Sequence, residues 1–411
     1  MVFKCQSDSF LKEFTSTVVS CTEAKLTTII DGKEQTVDGY EVILNDTILF
    51  PEGGGQPADH GLINDSQVLH VKRVGDKAVH FVDKFLEIGV EAKQNVNWER
   101  RFDHMQQHSG QHLLSAIIET DYGFDTLSWY LGEQVSYIEL DTPSFDSQQI
   151  LETENKCNEL IRSALNVTVD VYQTVEEVKA KNVCYVSGLP DDHVGDVRVV
   201  KIDGIDNNKC CGTHVTNTSQ LQVIKLLGTE KSKRKNKILL HFLVGNRVIQ
   251  RLDTCLKREA QLTVILKNNA VEHVNLVDKL LKNVKVVTKD LQTVLKELVI
   301  FEAAKFKAIA PQPKYYILHR KEGEADFMHS FIKEVGPTDT LFFLSVGDDK
   351  TTGSIMLRGN DTAVLELSKT VLELLDGKGV VKNNCLNAKV TNMKARNKVA
   401  TYLNDYFNKG S

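Results

Sequence analysis

NWERRFDHMQQHSGQHLLSAIIET (residues 97–120) is the stretch whose reading decides the fold. Before it, up to about residue 95, short runs alternate apolar and polar positions: TSTVVSC (15–21), YEVILND (40–46) and VLHVKRV (68–74). That period of two belongs to half-buried strands. Around Asn97 the pattern changes. Asp103 followed by Gln106 suits a helix cap, and HMQQHSGQHLLSAIIET continues for about four turns. Strand character returns at WYLGEQVSYIELD (129–141). A helical stripe follows in DSQQILETENKCNELIRSALN (146–166), carried by Ile150, Leu151, Cys157, Leu160 and Ile161. VTVDVYQ (167–173) and VRVVKIDGID (197–206) read as strands, the second leading directly into KCCGTHV. Helices among antiparallel-looking strands predict an α+β class.

Working outward, the basic turn KSKRKNK (231–237) separates two apolar runs and predicts a hairpin. Residues from Arg247 to about Ala310 contain neither Gly nor Pro, and Leu, Val and Ile recur at three- and four-residue spacing. In the last hundred residues, YYILHR (315–320), TLFFLSV (340–346) and GSIMLRG (353–359) read as strands, with helices expected at about 324–335, 361–375 and 388–408. The expected organisation is a small β-barrel-like domain at 1–95, an α+β domain at 96–246, a helical arm at 247–310 and a C-terminal α/β domain at 311–411.

Composition narrows the function classes. Hydrophobic residues are 41% and charged residues 26%, the balance of a globular chain. Fifty Lys and Arg against 55 Asp and Glu give a net charge of −5, so any polyanion site is a local patch. MVFKCQSDSFLKEF lacks the apolar core of a secretory signal, and no run of about 18 apolar residues would span a membrane. Eight scattered Cys form no disulfide framework. The expectation is a cytoplasmic protein whose cysteines are reduced, buried or metal-bound.

The chemistry gathers in two places. His104, His108 and His112 stand four residues apart, and successive i,i+4 positions turn by only about 40°, so the imidazoles share one helix face. One such histidine alone is more often an ordinary core or surface residue; three in register favour a metal. A hundred residues on, Cys210-Cys211-Gly212-Thr213-His214 places a thiol and an imidazole four positions apart just after a strand, with a glycine that lets the backbone turn. Cys and His are the ligands zinc prefers. Spacing leaves open which two histidines bind, and whether Cys210 or Cys211 does. A Glu directly after the first His, as in HExxH proteases, is absent: Met105 follows His104 and Ser109 follows His108.

QHSGQHLL followed by CCGTHV resembles the paired HxxxH and CxxxH zinc motifs of alanyl-tRNA synthetase editing domains and of the free-standing alanyl-tRNA editing proteins of the AlaX type. FPEGGGQPADHG (50–61) is similar to the glycine-rich motif of the longer AlaX proteins, and VRVVKIDGID to the strand before their cysteine motif. NWERRFDHMQQHSGQHLL is especially close to eukaryotic members. The resemblance covers roughly residues 1–245; the remainder is only loosely similar to the C-terminal domain of the synthetases.

The resemblance implies a single Zn2+ per chain held by His108, His112, Cys210 and His214. His104 then falls one turn outside, and Cys211 stands where the synthetases usually have glycine. It implies a trans-editing hydrolase that deacylates mischarged tRNA, chiefly serine on alanine tRNA; no synthetase-type ATP-binding half is visible ahead of the editing motifs, so the expectation is that amino acids are removed and not attached. A non-catalytic tRNA-binding factor with a structural zinc is the second reading, and a hydrolase of small esters a weaker third. Gly53, Gly54 and Gly55 would bring backbone against the terminal ribose, with Gln56 and Thr213 on the substrate and Gln111 as another polar candidate. Lys231, Lys233, Arg234, Lys235 and Lys237 form the densest basic run and the expected tRNA contact. A second run holds Lys378, Lys382, Lys389, Lys394, Arg396 and Lys398, and its Gly377-Lys378-Gly379 partly resembles a synthetase glycine segment.

Overall fold

The computed structural model describes residues 2–30, 33–174, 177–178, 196–323, 325–348 and 352–408. Contacts divide the chain into two compact units, Met1–Gln261 and Leu262–Ser411.

The first unit opens with a single helical turn, α1 (Lys4–Ser7), and six strands: β1 (Glu13–Ile30), β2 (Lys33–Leu44), β3 (Gly61–Ile63), β4 (Ser66–Val74), β5 (Lys77–Val82) and β6 (Glu91–Val96). All neighbours are antiparallel in the order β1-β2-β5-β4-β3-β6, and β6 pairs back onto β1, so the ring of pairings closes. Alternation puts Val18, Val42, Leu44, Val68, Val71 and Val82 inside, with Leu49, Phe50 and Ile63.

Helix α2 (Trp98–Tyr122) follows, then β7 (Thr126–Tyr130), β8 (Ser136–Leu140), α3 (Ser147–Arg162), β9 (Val167–Tyr172), β10 (Val197–Ile202), β11 (Asp206–Lys209), β12 (Ile224–Lys231), β13 (Ile238–Val244) and α4 (Asn246–Leu266), which crosses the boundary between the units. One sheet runs β12-β13-β8-β7 and another β11-β10-β9. Leu113, Leu114, Ile117 and Ile118 of α2 pack with Ile138, Leu140, Leu240 and Phe242 of the first sheet and with Cys157 and Ile161 of α3.

In the first unit the expected elements shift in four places. Asn97, not Asp103, caps α2, its side chain accepting from the Arg100 N–H; Asp103 lies inside the helix and pairs with Arg247. WYLGEQVSYIELD is two strands joined by a turn. In α3, Leu151 is 51% exposed although it belongs to the expected apolar stripe. The strand before the cysteine motif does not run straight into it: β11 turns back on β10 first, with Ile202 opposite Asp206.

Buried Arg101 fastens these parts. Its Nε donates to Asp59 Oδ2 at 2.9 Å and its Nη1 to Ser9 O at 2.9 Å, while Nη2 reaches Ile48 O and Asp59. Asp59 also accepts from the Phe50 N–H at 2.7 Å. Both ends of the loop 50–59 are thereby tied to α2.

The second unit contains α5 (His273–Lys307), β14 (Tyr315–Arg320), α6 (Ala325–Val335), β15 (Leu341–Val346), β16 (Gly353–Arg358), α7 (Asp361–Leu374), β17 (Gly377–Val381), β18 (Cys385–Val390) and α8 (Arg396–Asn408). Its sheet runs β14-β15-β16-β18-β17, with β14 and β15 parallel and the rest antiparallel. Phe342, Leu344 and Val346 face Val299 and Phe306 of α5 and Phe327 and Phe331 of α6; Leu341 and Phe343 face Val364 and Leu367 of α7 and Val399 of α8. The sheet therefore carries helices on both faces. The helix expected at 388–408 begins only at Arg396; before it lies the β17–β18 hairpin, turned by Asn383 and Asn384, both with positive φ.

Candidate metal centre and cleft

α2 passes beside the turn that follows β11, and this brings His108, His112, Cys210 and His214 together. One ligand atom from each lies within 4.8 Å of the others. The Cys210 Sγ is 3.3 Å from His108 Nε2 and 3.2 Å from His214 Nε2. A tetrahedral zinc with ordinary bond lengths holds such N and S atoms about 3.5 Å apart, so the donor set and its spacing fit that ion. Gly212 is required here: a Cβ would lie 2.3 Å from His108 Cε1.

The outward nitrogens explain why the inward ones converge. His108 Nδ1 lies 2.9 Å from Gln56 Oε1, which already accepts from the Thr213 N–H, so the ring donates through Nδ1 and turns the Nε2 lone pair inward. His214 Nδ1 lies 2.9 Å from Ser109 Oγ, and His112 Nδ1 lies 3.1 Å from Asp206 Oδ2. Each imidazole thus has its own polar holder, the arrangement by which proteins orient metal ligands.

Electrostatics run the same way. Burial works to raise the Cys210 thiol, but the imidazoles of His108 and His214 outweigh it and hold the group well below its ordinary range. Burial lowers His108, and pushes His214 down to about 3. Burial also opposes charge on His112, yet the Asp206 carboxylate and Cys210 carry it up to about 10. Metal ligation needs the thiolate and neutral imidazoles, so an entering cation would displace the protons these four ligands share.

The expected substrate residues divide. Gln56 and Thr213 are wholly buried, with Gln56 Nε2 donating to Thr213 Oγ1 at 2.8 Å. They hold His108. Gln111 donates to Ser115 Oγ at 2.9 Å. Cys211 stays outside the four-residue cluster; burial raises its thiol, and its Sγ leans on the glycine loop, 2.9 Å from where a Gly54 Cβ would stand. Asp206, Ser109 and Trp129 went unnoticed in sequence. The Trp129 ring lies 4.5 Å from that of His108, and its Nε1 donates to Gly54 O at 3.1 Å.

Gly54 and Gly55 adopt φ of 62° and 83°, and a Cβ on Gly55 would strike the Trp129 indole at 2.5 Å. Gly53, Gly54, Gly55 and Gln56 wall a cleft of about 1010 Å³, opposite Arg100, His104, Tyr130, Gly132 and Arg247. Among the described residues the Gly54 and Gly55 N–H groups make no protein hydrogen bond. The cleft meets the cluster through Gln56 and through the Trp129 contact; His104, excluded from the cluster, is in its wall. At the β12–β13 tip, Arg234 pairs with Glu139 at 3.2 Å and Lys237 with Asp141, while Lys231, Lys233 and Lys235 are exposed.

A buried three-histidine, one-cysteine cluster that could bind a metal ion stands beside a glycine-walled cleft, and residues 197–240 match the family described as the threonyl and alanyl tRNA synthetase second additional domain. The chain is 46% identical over 409 residues to a zebrafish (Danio rerio) protein named alanyl-tRNA editing protein Aarsd1, covering 98% of each. It is 37% identical over 280 residues to a Saccharomyces cerevisiae protein named putative alanyl-tRNA editing protein alaX, covering 59% of this chain and 58% of that one. Against alanyl-tRNA editing protein AlaX-M of Methanosarcina barkeri it is 28% identical over 250 residues, 58% of this chain and 96% of that protein. The chain belongs to the alanyl-tRNA editing protein family. Among the described residues, no helix is long and apolar enough to cross a membrane.

Proposed function

We propose that this protein is a trans-editing hydrolase that removes wrongly attached amino acids, chiefly serine, from alanine tRNA in the cytoplasm. The observation that carries the reading is the cleft whose wall offers the open Gly54 and Gly55 N–H groups beside the His and Cys cluster. Glycine lets this backbone approach a ribose and its ester closely, and two free amide donors suit an ester carbonyl whose oxygen gains negative charge.

His108, His112, Cys210 and His214 would hold a single Zn2+, which when bound supplies Lewis-acid polarisation and fixes the shape of the pocket. Four protein ligands complete a tetrahedral site, so the organising role is the one we favour. Gln56, Asp206 and Ser109 keep the imidazole rings in their ligating orientation. Trp129 covers His108 and supports the glycine loop, excluding water from that side. Lys231, Lys233 and Lys235 are the hairpin side chains that reach for tRNA phosphate, since Arg234 and Lys237 are engaged with acids.

The test is deacylation of Ser-tRNA(Ala), with glycyl and alanyl esters of the same tRNA and metal content measured together. Loss of the seryl ester by the native protein and its absence in His108→Ala are expected. The same four-ligand closure favours a second reading, a tRNA-binding factor in which the zinc only braces the fold. Tight tRNA binding without metal-site-dependent ester loss would establish that alternative instead.

A further inference from the structure

On α2, Arg100, His104, His108 and His112 stand at four-residue intervals, so they form one stripe rising about 6 Å per member. His108 and His112 belong to the cluster; Arg100 and His104 line the cleft. The two arginines of the cleft wall differ. Arg247 is spent on Asp103 and on Gly132 O. Half-buried Arg100 gives its Nε to Ala58 O at 3.0 Å and makes no ion pair among the described residues. Glu52, Glu99 and Glu133 also line the cleft, so a phosphate entering it is attracted at Arg100 and repelled at the acidic positions. His104 is only 3% exposed, and its Nδ1 is buried without a hydrogen-bond partner. Burial and the charges of Arg100 and Arg247 keep that imidazole neutral, able to donate to or accept from a hydroxyl.

We propose that Arg100 and His104 hold the nucleotide end of the substrate: Arg100 binds the phosphodiester on the 5′ side of the nucleoside that bears the ester, and His104 binds a hydroxyl of that nucleoside's ribose. The assignment rests on the proposed deacylation site and adds to it the residues that set which nucleotide is presented. With the ester beside His108 and the glycine loop, the ribose and its phosphate run back along the stripe, first past His104 and then to Arg100, about 12 Å away along the helix axis. Arginine suits this place because its planar guanidinium keeps two terminal nitrogens for phosphate oxygens after Nε is used.

The probes are the trinucleotide CCA and the same trinucleotide with its last phosphodiester replaced by a neutral methylphosphonate. Their binding to the metal-loaded protein is measured by calorimetry. The native protein should prefer the charged linkage by about tenfold or more. Arg100→Gln should bind both linkages alike, at the native affinity for the neutral one, and Arg100→Lys should restore part of the preference. His104→Phe should weaken both and erase the distinction between a terminal ribose and a 2′,3′-dideoxyribose. Unchanged metal content in each variant shows that the cluster is intact. The proposal is overturned if Arg100→Gln keeps the native preference, or if the native protein does not distinguish the linkages. Ser-tRNA(Ala) deacylation run alongside separates the two readings. Arg100-dependent discrimination without ester loss keeps this assignment and sinks the hydrolase; ester loss with an indifferent Arg100→Gln does the reverse.

Discussion

Two buried polar constellations hang from the same helix, and they are built on opposite plans. Arg101 and Asp59 face each other with a carboxylate on the guanidinium, backbone carbonyls of Ser9 and Ile48 on its other nitrogens, and the Phe50 N–H on the acid. One charge answers the other inside the knot. Two turns along α2, His108 and its partners turn one ring nitrogen each outward, to Gln56, Ser109 and Asp206, and turn their other ligand atoms toward one another. Four ligand atoms, all within 4.8 Å of one another, are the set that a single cation would bind. The first arrangement pairs charge with charge, although Asp59 Oδ1 is left without a hydrogen-bond partner; the second offers a ligand set. That contrast separates a polar brace from a binding site when both are equally buried.

Breaking the brace should cost most. Asp59→Ala leaves the Arg101 charge buried and unpaired, an effect of about 3–5 kcal/mol. Urea unfolding is expected to show this loss whether or not metal is present. A cost below 1 kcal/mol would mean that water reaches Arg101 and that the knot does not fasten the loop 50–59 to the helix.

The next largest effect tests the packing of the site itself. Gly212→Ala places a methyl 2.3 Å from the His108 ring, and both the ring and the turn are walled in. Overpacking of this kind costs about 1–3 kcal/mol. It should also lower metal content, because the shift falls on a ligand. Equilibrium unfolding and metal analysis of one preparation check both, and full metal content in a stable variant would show that the turn has room.

Sharper still is the holder of His112. Asp206→Ala should reduce metal affinity by roughly tenfold to a hundredfold, measured by competition with a chromophoric chelator. Loss of a carboxylate that merely paired with a protonated imidazole would instead leave the chelator titration unchanged. That result would place His112 with the brace rather than the site.

How much of this was legible in the residues depends on the range of the signal. The two ligand pairs show in sequence because each is local: a four-residue step on a helix, and a four-residue step across a turn. Their holders do not. Gln56 and Asp206 lie 52 and 94 positions from the histidines they orient, and nothing local ties either one to its histidine. Gln56 was expected on substrate because the glycines beside it were; its burial against His108 follows from how the loop folds back. In the closed ring, β1, β2 and β4 were readable from alternation while β3, β5 and β6 were not, and β17 and β18 were masked by their lysines and glycines. Yet Asn383-Asn384, an Asn pair able to take positive φ, is a hairpin signal that could have been read. Asp103 looked like a cap because it precedes Gln106 at capping-box spacing, but Asn97 stands where the strand ends and captures the Arg100 N–H first.

The smallest effect concerns a residue that periodicity alone would misjudge. Leu151 shares the three- and four-residue rhythm of α3 with Cys157 and Ile161, so a stripe reading puts it in the core and assigns Leu151→Ala about 2–5 kcal/mol. The structure leaves it 51% exposed, while Thr153 takes the buried position nearby. Truncating a half-exposed leucine opens no cavity, and alanine is the better helix former, so the two contributions nearly cancel. The expected change is within about 0.5 kcal/mol by urea unfolding. Asp146→Ala on the same helix, by contrast, removes a side chain that accepts from the Gln148 and Gln149 N–H groups, and should cost about 1 kcal/mol. If the order of these two substitutions were reversed, the outward face of α3 would have to be covered in solution, and Leu151 would be part of what covers it.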